Sequence, residues 1–479
     1  MTKQKQSESN NKKASRIKVV DTHGHEYELA GSPIGSGGQG QVYRTNIPGV
    51  LIKTLNATSD EKQREWLKQI HWVIQQPLEG LPIAKPVAII DQPSPGYVMV
   101  LMDGMIPLSS IMEKAEESML DGYGLKGFID SGGVRRRIGI LAKLARILAD
   151  LHGRGLAYGD LSPSNIFVSS EINHFETWLI DADNLCVNSR LSSQRLYTPD
   201  YGAPEVLRKE SGVNTLTDSW SFGVLAFKFM IMVHPLKGDA VNNGTPEIEE
   251  KALRGEFSWI DHPKDTFNSL CEGTGLPRKI VLSAKLLKLF HQCFGDGLSE
   301  PGERPSMAAW AEGFESAFNL LVTCEAKDCG SSYIADKNLV CPFCDETKPN
   351  DAVIELVHFH FAPEFGVNNG GNEKDVWVKT GHSIILSRGD SVVLKQSPIG
   401  TSLYQESKSV CIVDFKESGL FFTPIDSESV HVQKVTSTKE IPRITKCQGL
   451  KNDFRKGVER YVLHLGDILK DHPAWLFTW

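Results

Sequence analysis

Hydrophobic and polar positions change their spacing several times along this chain. Residues 17–29 read as short extended segments, and 32–55 alternate strand-like runs with a Gly-rich turn. From Asp60 to Gln75 the spacing becomes helical, with Trp66, Leu67, Ile70, Val73 and Ile74 recurring on one face. Residues 87–90 and 97–102 return to strand character across a turn, Asp91-Gln-Pro-Ser-Pro-Gly. Helical spacing then dominates: 108–120 and 134–153 flank a Gly-containing insertion, followed by 217–233, 280–294 and 306–322. Beyond Lys348 the runs VWVKTG, HSIILS, SVVLKQ, SVCIVDF, GLFF, HVQKV and YVLHL have the length and punctuation of a sandwich or barrel. The pattern predicts an α+β protein, with a strand-rich lobe, a helical lobe and a β-rich C-terminal region.

Length and charge narrow this picture. A chain of 479 residues, 40% hydrophobic and 23% charged, can bury two or three cores. Its 52 Lys+Arg against 59 Asp+Glu give a net charge of -7, which argues against nucleic acid as the main partner. The most apolar runs, 138–151 and 222–233, are too short to span a bilayer, so no membrane partner is expected. Residues 1–17 are polar, lack the apolar core of a signal peptide and read as a disordered tail. Nine cysteines without an export signal point to a reducing, cytoplasmic setting. Cys186, Cys271, Cys293, Cys411 and Cys447 are scattered, whereas four are grouped between 324 and 344.

Three stretches carry candidate phosphate chemistry. Gly35, Gly37, Gly38 and Gly40 lie between strand-like segments, where small residues let backbone N–H groups close over phosphates. Lys53 follows inside an apolar strand, and Glu65, or else Glu61, in the next helix is the expected carboxylate partner. Asp160 and Asn165 share one loop after a long amphipathic helix, and Asp181 ends an apolar strand shortly afterwards. Phosphoryl transfer needs oxygen ligands for Mg²⁺ and a separate acid to accept a hydroxyl proton. Asp183 either adds a second carboxylate to that metal site or caps the turn.

With these pieces in this order, the sequence resembles the eukaryotic-type protein kinase family over residues 28–322. The resemblance extends to Ala203-Pro-Glu205, to Thr217-Asp218-Ser-Trp-Ser-Phe-Gly and to Arg304, matched as the arginine that pairs with Glu205. It implies a bilobal fold, ATP with Mg²⁺ (or Mn²⁺) as cofactor, and a protein substrate. The four glycines, Val42, Lys53, Glu65 and Met102 would bind ATP. Asp160 would be the catalytic base, supported by Lys53 and Asn165, and Asn165, Asp181 and Asp183 would hold the metal. Glu205, Asp218 and Arg304 would be structural.

There are departures from the family pattern. The usual His-Arg-Asp reads Tyr158-Gly159-Asp160, Ser162 replaces a lysine, and Asp-Phe-Gly reads Asp181-Ala-Asp183. The arginine that senses a phosphorylated activation segment is therefore missing. The variant pattern is similar to a bacterial branch associated with phosphatase partners and stress-resistance clusters.

Cys324, Cys329, Cys341 and Cys344 form two close pairs with the spacing of a zinc ribbon, a closed structural Zn²⁺ site rather than free or redox-active thiols. His358, His360, His382 and His431 are read as core or surface histidines, and Trp475, Phe477 and Trp479 as packed against their own domain. The expected domains are a kinase-like domain over 18–322, a zinc module over 323–348 and a β-rich domain over 349–479. A cognate phosphatase or another partner protein would dock on the last. The leading reading is a Ser/Thr protein kinase in bacterial signalling or stress response. Two alternatives are a catalytically silent scaffold that binds nucleotide and partners, and a kinase-like small-molecule phosphotransferase.

Overall fold

A computed structural model describes residues 17–36, 40–56, 59–92, 94–189, 197–271, 273–335, 339–363, 376–399, 407–425, 430–437 and 441–479. Gly37 and Gly38, nearly all of the N-terminal tail, and residues 190–196 of the expected activation segment lie outside these. The chain divides into two compact units. The first comprises Met1–Ile106 with Trp178–Leu185, and the second Pro107–Thr177 with Cys186–Trp479.

In the first unit, β1 (Lys18–Asp21), β2 (Glu26–Glu28), β3 (Gly35–Ser36), β4 (Gly40–Arg44), β5 (Val50–Leu55), β6 (Pro86–Gln92) and β7 (Gly96–Val100) form one antiparallel sheet in the order β2-β1-β6-β7-β5-β4-β3. Alternation puts Val19, Tyr27, Leu29, Ile52, Ala88, Ile90 and Val98 into one cluster. Gly40 is required for packing, because a Cβ there would meet the Thr54 carbonyl oxygen at 2.1 Å. Helix α1 (Asp60–Ile74) starts at Ser59, whose hydroxyl accepts the Lys62 N–H, with Asp60 and Glu61 suited to its positive end. It buries Ile70 and Val73.

The second unit begins with α2 (Leu108–Leu120), α3 (Lys126–Asp130) and α4 (Gly133–Gly153), and later packs the helices Thr215–Ile231, Ala284–Phe294 and Met307–Phe318. Two sequence expectations are corrected here. The predicted helix 280–294 is broken, because Ser283 caps a new helix by accepting the Leu286 N–H. The predicted helix 306–322 stops at Phe318, because Leu321–Thr323 pairs with Ser332–Ile334 as a hairpin.

The C-terminal region packs two sheets around one core. One has six strands, in the spatial order Trp377–Ser387, Val353–Phe361, His472–Thr478, Arg460–Leu465, Val430–Lys434, Arg443–Ile444, and the other has four. Trp475, Phe477 and Trp479 are buried in that core, as their apolar run suggests. The strand Trp377–Ser387 is tied to the last helix by Ile385 N–H to Asn319 O (2.9 Å) and by His382 Nδ1 with Ser316 Oγ (3.2 Å). No helix among the described residues is long and apolar enough to cross a membrane.

Two buried histidines in this region give it an acid sensitivity. Burial pushes His358 down to about 4, and burial with neighbouring His472 pushes His464 down to about 3. Both are neutral in the fold but protonate in the unfolded chain near pH 6.5, so their contribution is intact above that pH and lost as pH falls toward 4. The slope should approach about 1.4 kcal/mol per pH unit for each histidine. Thermal unfolding of the full chain followed by tryptophan fluorescence should show a lower midpoint at pH 5 than at pH 7.5. A His464→Phe variant that kept the wild-type slope would remove His464 from this account.

Candidate active site

In the first unit the register of β4, β5 and β7 places Val42 and Tyr97 on either side of Lys53. Cross-strand neighbours share a face, and β5 is an inner strand of the sheet, so Lys53 does not project from an edge. It is buried, at 3% exposed. Its Nζ lies 3.1 and 3.0 Å from the two carboxylate oxygens of Asp183 and 3.2 Å from Asp181 Oδ1. Burial alone would lower its pKa, but the charges of Asp183 and Asp181 outweigh burial and hold the ammonium above its ordinary value.

The expected partner of Lys53 on α1 is corrected: Glu65 and Glu61 are exposed, and the acids at Lys53 come from the Trp178–Leu185 segment. Helix α1 presents Trp66 and Gln69 instead. Trp66 Nε1 donates to Asp183 Oδ2 (3.0 Å), and Gln69 Nε2 donates to the carbonyls of Asp183 (3.2 Å) and Leu185 (2.7 Å). Tyr97 OH is the third donor group on the Asp183 carboxylate and makes its fourth hydrogen bond, at 3.3 Å. A carboxylate offers about four lone-pair positions, and these four bonds fill them, so Asp183 has none left for a metal ion. Asp181 starts the short 3-10 turn Ala182–Asn184 in the left-handed region, at φ 56°. Met102 follows β7 and is exposed.

In the second unit, the loop after α4 is held by Asp218, which accepts the backbone N–H groups of Tyr158 (2.6 Å) and Gly159 (2.9 Å) and lies 2.9 Å from His152 Nε2. Gly159 has φ 92°, a conformation that side chains disfavour. Asp160 is half-buried, and Thr198 Oγ1 donates to its Oδ1 at 2.7 Å. Asn165 Nδ2 donates to the Asp160 carbonyl at 2.9 Å and to its Oδ2 at 3.4 Å, which leaves the amide oxygen available to a cation. Thr198 immediately precedes Pro199-Asp-Tyr in the chain. Ser162 is buried at the place of the family's lysine.

Arg304 and Glu205 form a two-pronged pair at 2.7 and 2.8 Å, with the guanidinium also donating to the carbonyls of Gly297 and Leu216 and lying over the Trp220 ring. Both residues are buried. Removing one member strands the other's charge, so Arg304→Met should cost about 3–5 kcal/mol, read as a lowered denaturant midpoint. The double variant Arg304→Met/Glu205→Gln should recover part of that loss; a double variant worse than the sum of the singles would refute a pairwise role.

The four grouped cysteines converge. The Sγ atoms of Cys324 and Cys344 are 3.6 Å apart, those of Cys329 and Cys341 are 3.7 Å apart, and all four lie within 4.8 Å of one another. Four thiolates around one tetrahedral zinc ion would stand about 3.8 Å apart, whereas a disulfide needs about 2.05 Å. The Asp345 N–H to Cys341 O bond (2.9 Å) closes the second pair into a tight knuckle. The donor set therefore fits a closed metal site.

Residues 29–312, more than half of the chain, match the protein kinase domain, and the chain belongs to that family. It is a kinase domain followed by a cysteine cluster and a β-rich C-terminal region. Among similar proteins, Myosin light chain kinase A of Dictyostelium discoideum is 28% identical over 174 residues, 36% of this chain and 52% of that protein. Serine/threonine-protein kinase dkf-2 of Caenorhabditis briggsae is 25% identical over 258 residues, 52% of this chain and 20% of that protein. Ribosomal protein S6 kinase alpha-2 of Mus musculus is 37% identical over 118 residues, 24% of this chain and 15% of that protein. The chain thus spans about half or less of the length of these relatives.

Proposed function

We propose that this chain transfers the γ-phosphate of Mg-ATP to serine or threonine hydroxyls of protein substrates. The observation that carries the reading is the Asp160 loop, where a half-buried carboxylate is oriented by Thr198 while Asn165 folds back on it. Asp160 would accept the proton of the substrate hydroxyl as its oxygen attacks the γ-phosphorus and ADP leaves. Asp181 and the Asn165 amide oxygen would hold Mg²⁺ (or Mn²⁺), which supplies charge neutralisation on the phosphates. Lys53 would hold the phosphates, with Gly35, Gly40, Val42 and Met102 bordering the nucleotide. The Ser/Thr preference rests on relatives bearing that name, such as the nematode dkf-2.

The domain limits we adopt are 18–322 for the kinase, 323–348 for the cysteine module with zinc bound, and 349–479 for the β-rich region, the candidate surface for a phosphatase or other partner. A bacterial signalling or stress role in the cytoplasm completes this reading. Radiolabelled ATP with a generic protein substrate tests the activity: Mg²⁺-dependent label on serine or threonine supports it. The buried Ser162, which leaves no cation where the family carries lysine, favours a silent scaffold as the second reading. Nucleotide binding without transfer would select that reading over the first. Label appearing only on small molecules would select a small-molecule phosphotransferase.

A further inference from the structure

Asp183 stands third in the Asp181-Ala-Asp triplet and is the most heavily bonded carboxylate near Lys53. Its side chain is 1% exposed, whereas that of Asp181 is 23% exposed. Lys53 reaches both of its oxygens, Trp66 and Tyr97 supply one neutral donor each, and the Trp66 and Tyr97 rings stack at 5.7 Å. We propose that Asp183, and no acid of α1, is the residue that positions Lys53 for the nucleotide phosphates. This rests on the kinase reading above.

The argument is one of charge and saturation. Lys53 has three protons to donate, and within hydrogen-bond reach it has the two oxygens of Asp183 and one of Asp181. A buried ammonium needs a fixed counter-charge, and the less exposed acid is the one that can stay when ligands arrive. Asp183 therefore keeps Lys53 in place, while the more exposed Asp181 turns from Lys53 to Mg²⁺. Helix α1 contributes through neutral groups: Trp66 on the carboxylate, and Gln69 on the carbonyls of Asp183 and Leu185. The lysine clamp is built into the same turn as the metal-binding acid, so α1 locks that turn rather than supplying the charge.

A specific consequence follows for magnesium. Without the Asp183 charge, Lys53 has only Asp181 to pair with and competes with Mg²⁺ for it. Asp183→Asn should weaken Mg-ADP binding about 30-fold by calorimetry and raise the half-saturating Mg²⁺ concentration about tenfold, with the loss in KM for ATP exceeding that in kcat. Adding Trp66→Glu to Asp183→Asn, which returns a carboxylate to the same pocket from the helix, should recover part of the affinity. Asp183→Asn binding Mg-ADP within about threefold of wild type, or Glu65→Gln giving the larger loss, would overturn the proposal. Should Asp183→Asn not fold, Trp66→Phe decides: removal of one donor should weaken Mg-ADP about fivefold, and unchanged binding would mean a merely structural aspartate. These readouts need no phosphoryl transfer. A chain that binds Mg-ADP as described but transfers nothing would fail the kinase reading and leave this one standing.

Discussion

Asp160→Ala should lower phosphoryl transfer by about 10³-fold while leaving Mg-ATP binding largely intact. On the proposed reading the carboxylate would take the hydroxyl proton, and Thr198 donates to one of its oxygens at 2.7 Å. Its backbone is held independently, through Asp218 on the adjacent Tyr158 and Gly159 N–H groups, so the loop should keep its shape without the side chain. Asp181→Ala should behave differently and lose Mg²⁺-dependent nucleotide binding as well, because that residue is the proposed metal ligand rather than the proposed base. Initial rates with labelled ATP, paired with calorimetric nucleotide titration, separate the two variants. Near wild-type turnover in Asp160→Ala would remove it as the base.

The second large effect concerns the cysteine module. Purified chain should carry one zinc ion, and Cys341→Ser should lose the metal. Isolated zinc fingers draw about 10–16 kcal/mol of folding free energy from their ion. Here the module also packs Val322 and Tyr333 with Val353 and Ile385, so the loss should be smaller and local, on the order of several kcal/mol. Amide exchange in the paired strands Leu321–Thr323 and Ser332–Ile334 should accelerate on chelation while the kinase helices stay protected. Metal-free protein with unchanged hairpin protection would show that the four thiols hold nothing of structural consequence.

The candidate site residues were legible because the chemistry proposed for them restricts a short run of sequence. Lys53 in its strand, Asp160 with Asn165 five residues on, Asp181 at a strand end and the cysteine pairs are local patterns, and their local geometry could be anticipated. The partner of Lys53 could not. Trp66 and Asp183 are 117 positions apart, and which face of α1 meets the Asp183 turn depends on how the whole helix packs. The same holds for helix ends. Leu320 to Val322 continue an apolar period past Phe318, and only pairing with Ser332–Ile334 turns them into a strand. In the C-terminal region, Val353–Phe361 and His472–Thr478 are central strands of the six-stranded sheet, yet three histidines and a proline blurred their alternation.

The left-handed backbone at Gly159 limits what this chain can evolve into. In relatives with arginine before the catalytic aspartate, a phosphate on the activation segment answers a buried cation. Building that form of control here would take more than a codon change. At φ 92° any side chain adds strain of roughly 1 kcal/mol or more, and the N–H at this position is already committed to Asp218. Glycine is thus costly to replace here, and an arginine at 159 would have to reshape the turn that Asp218 holds.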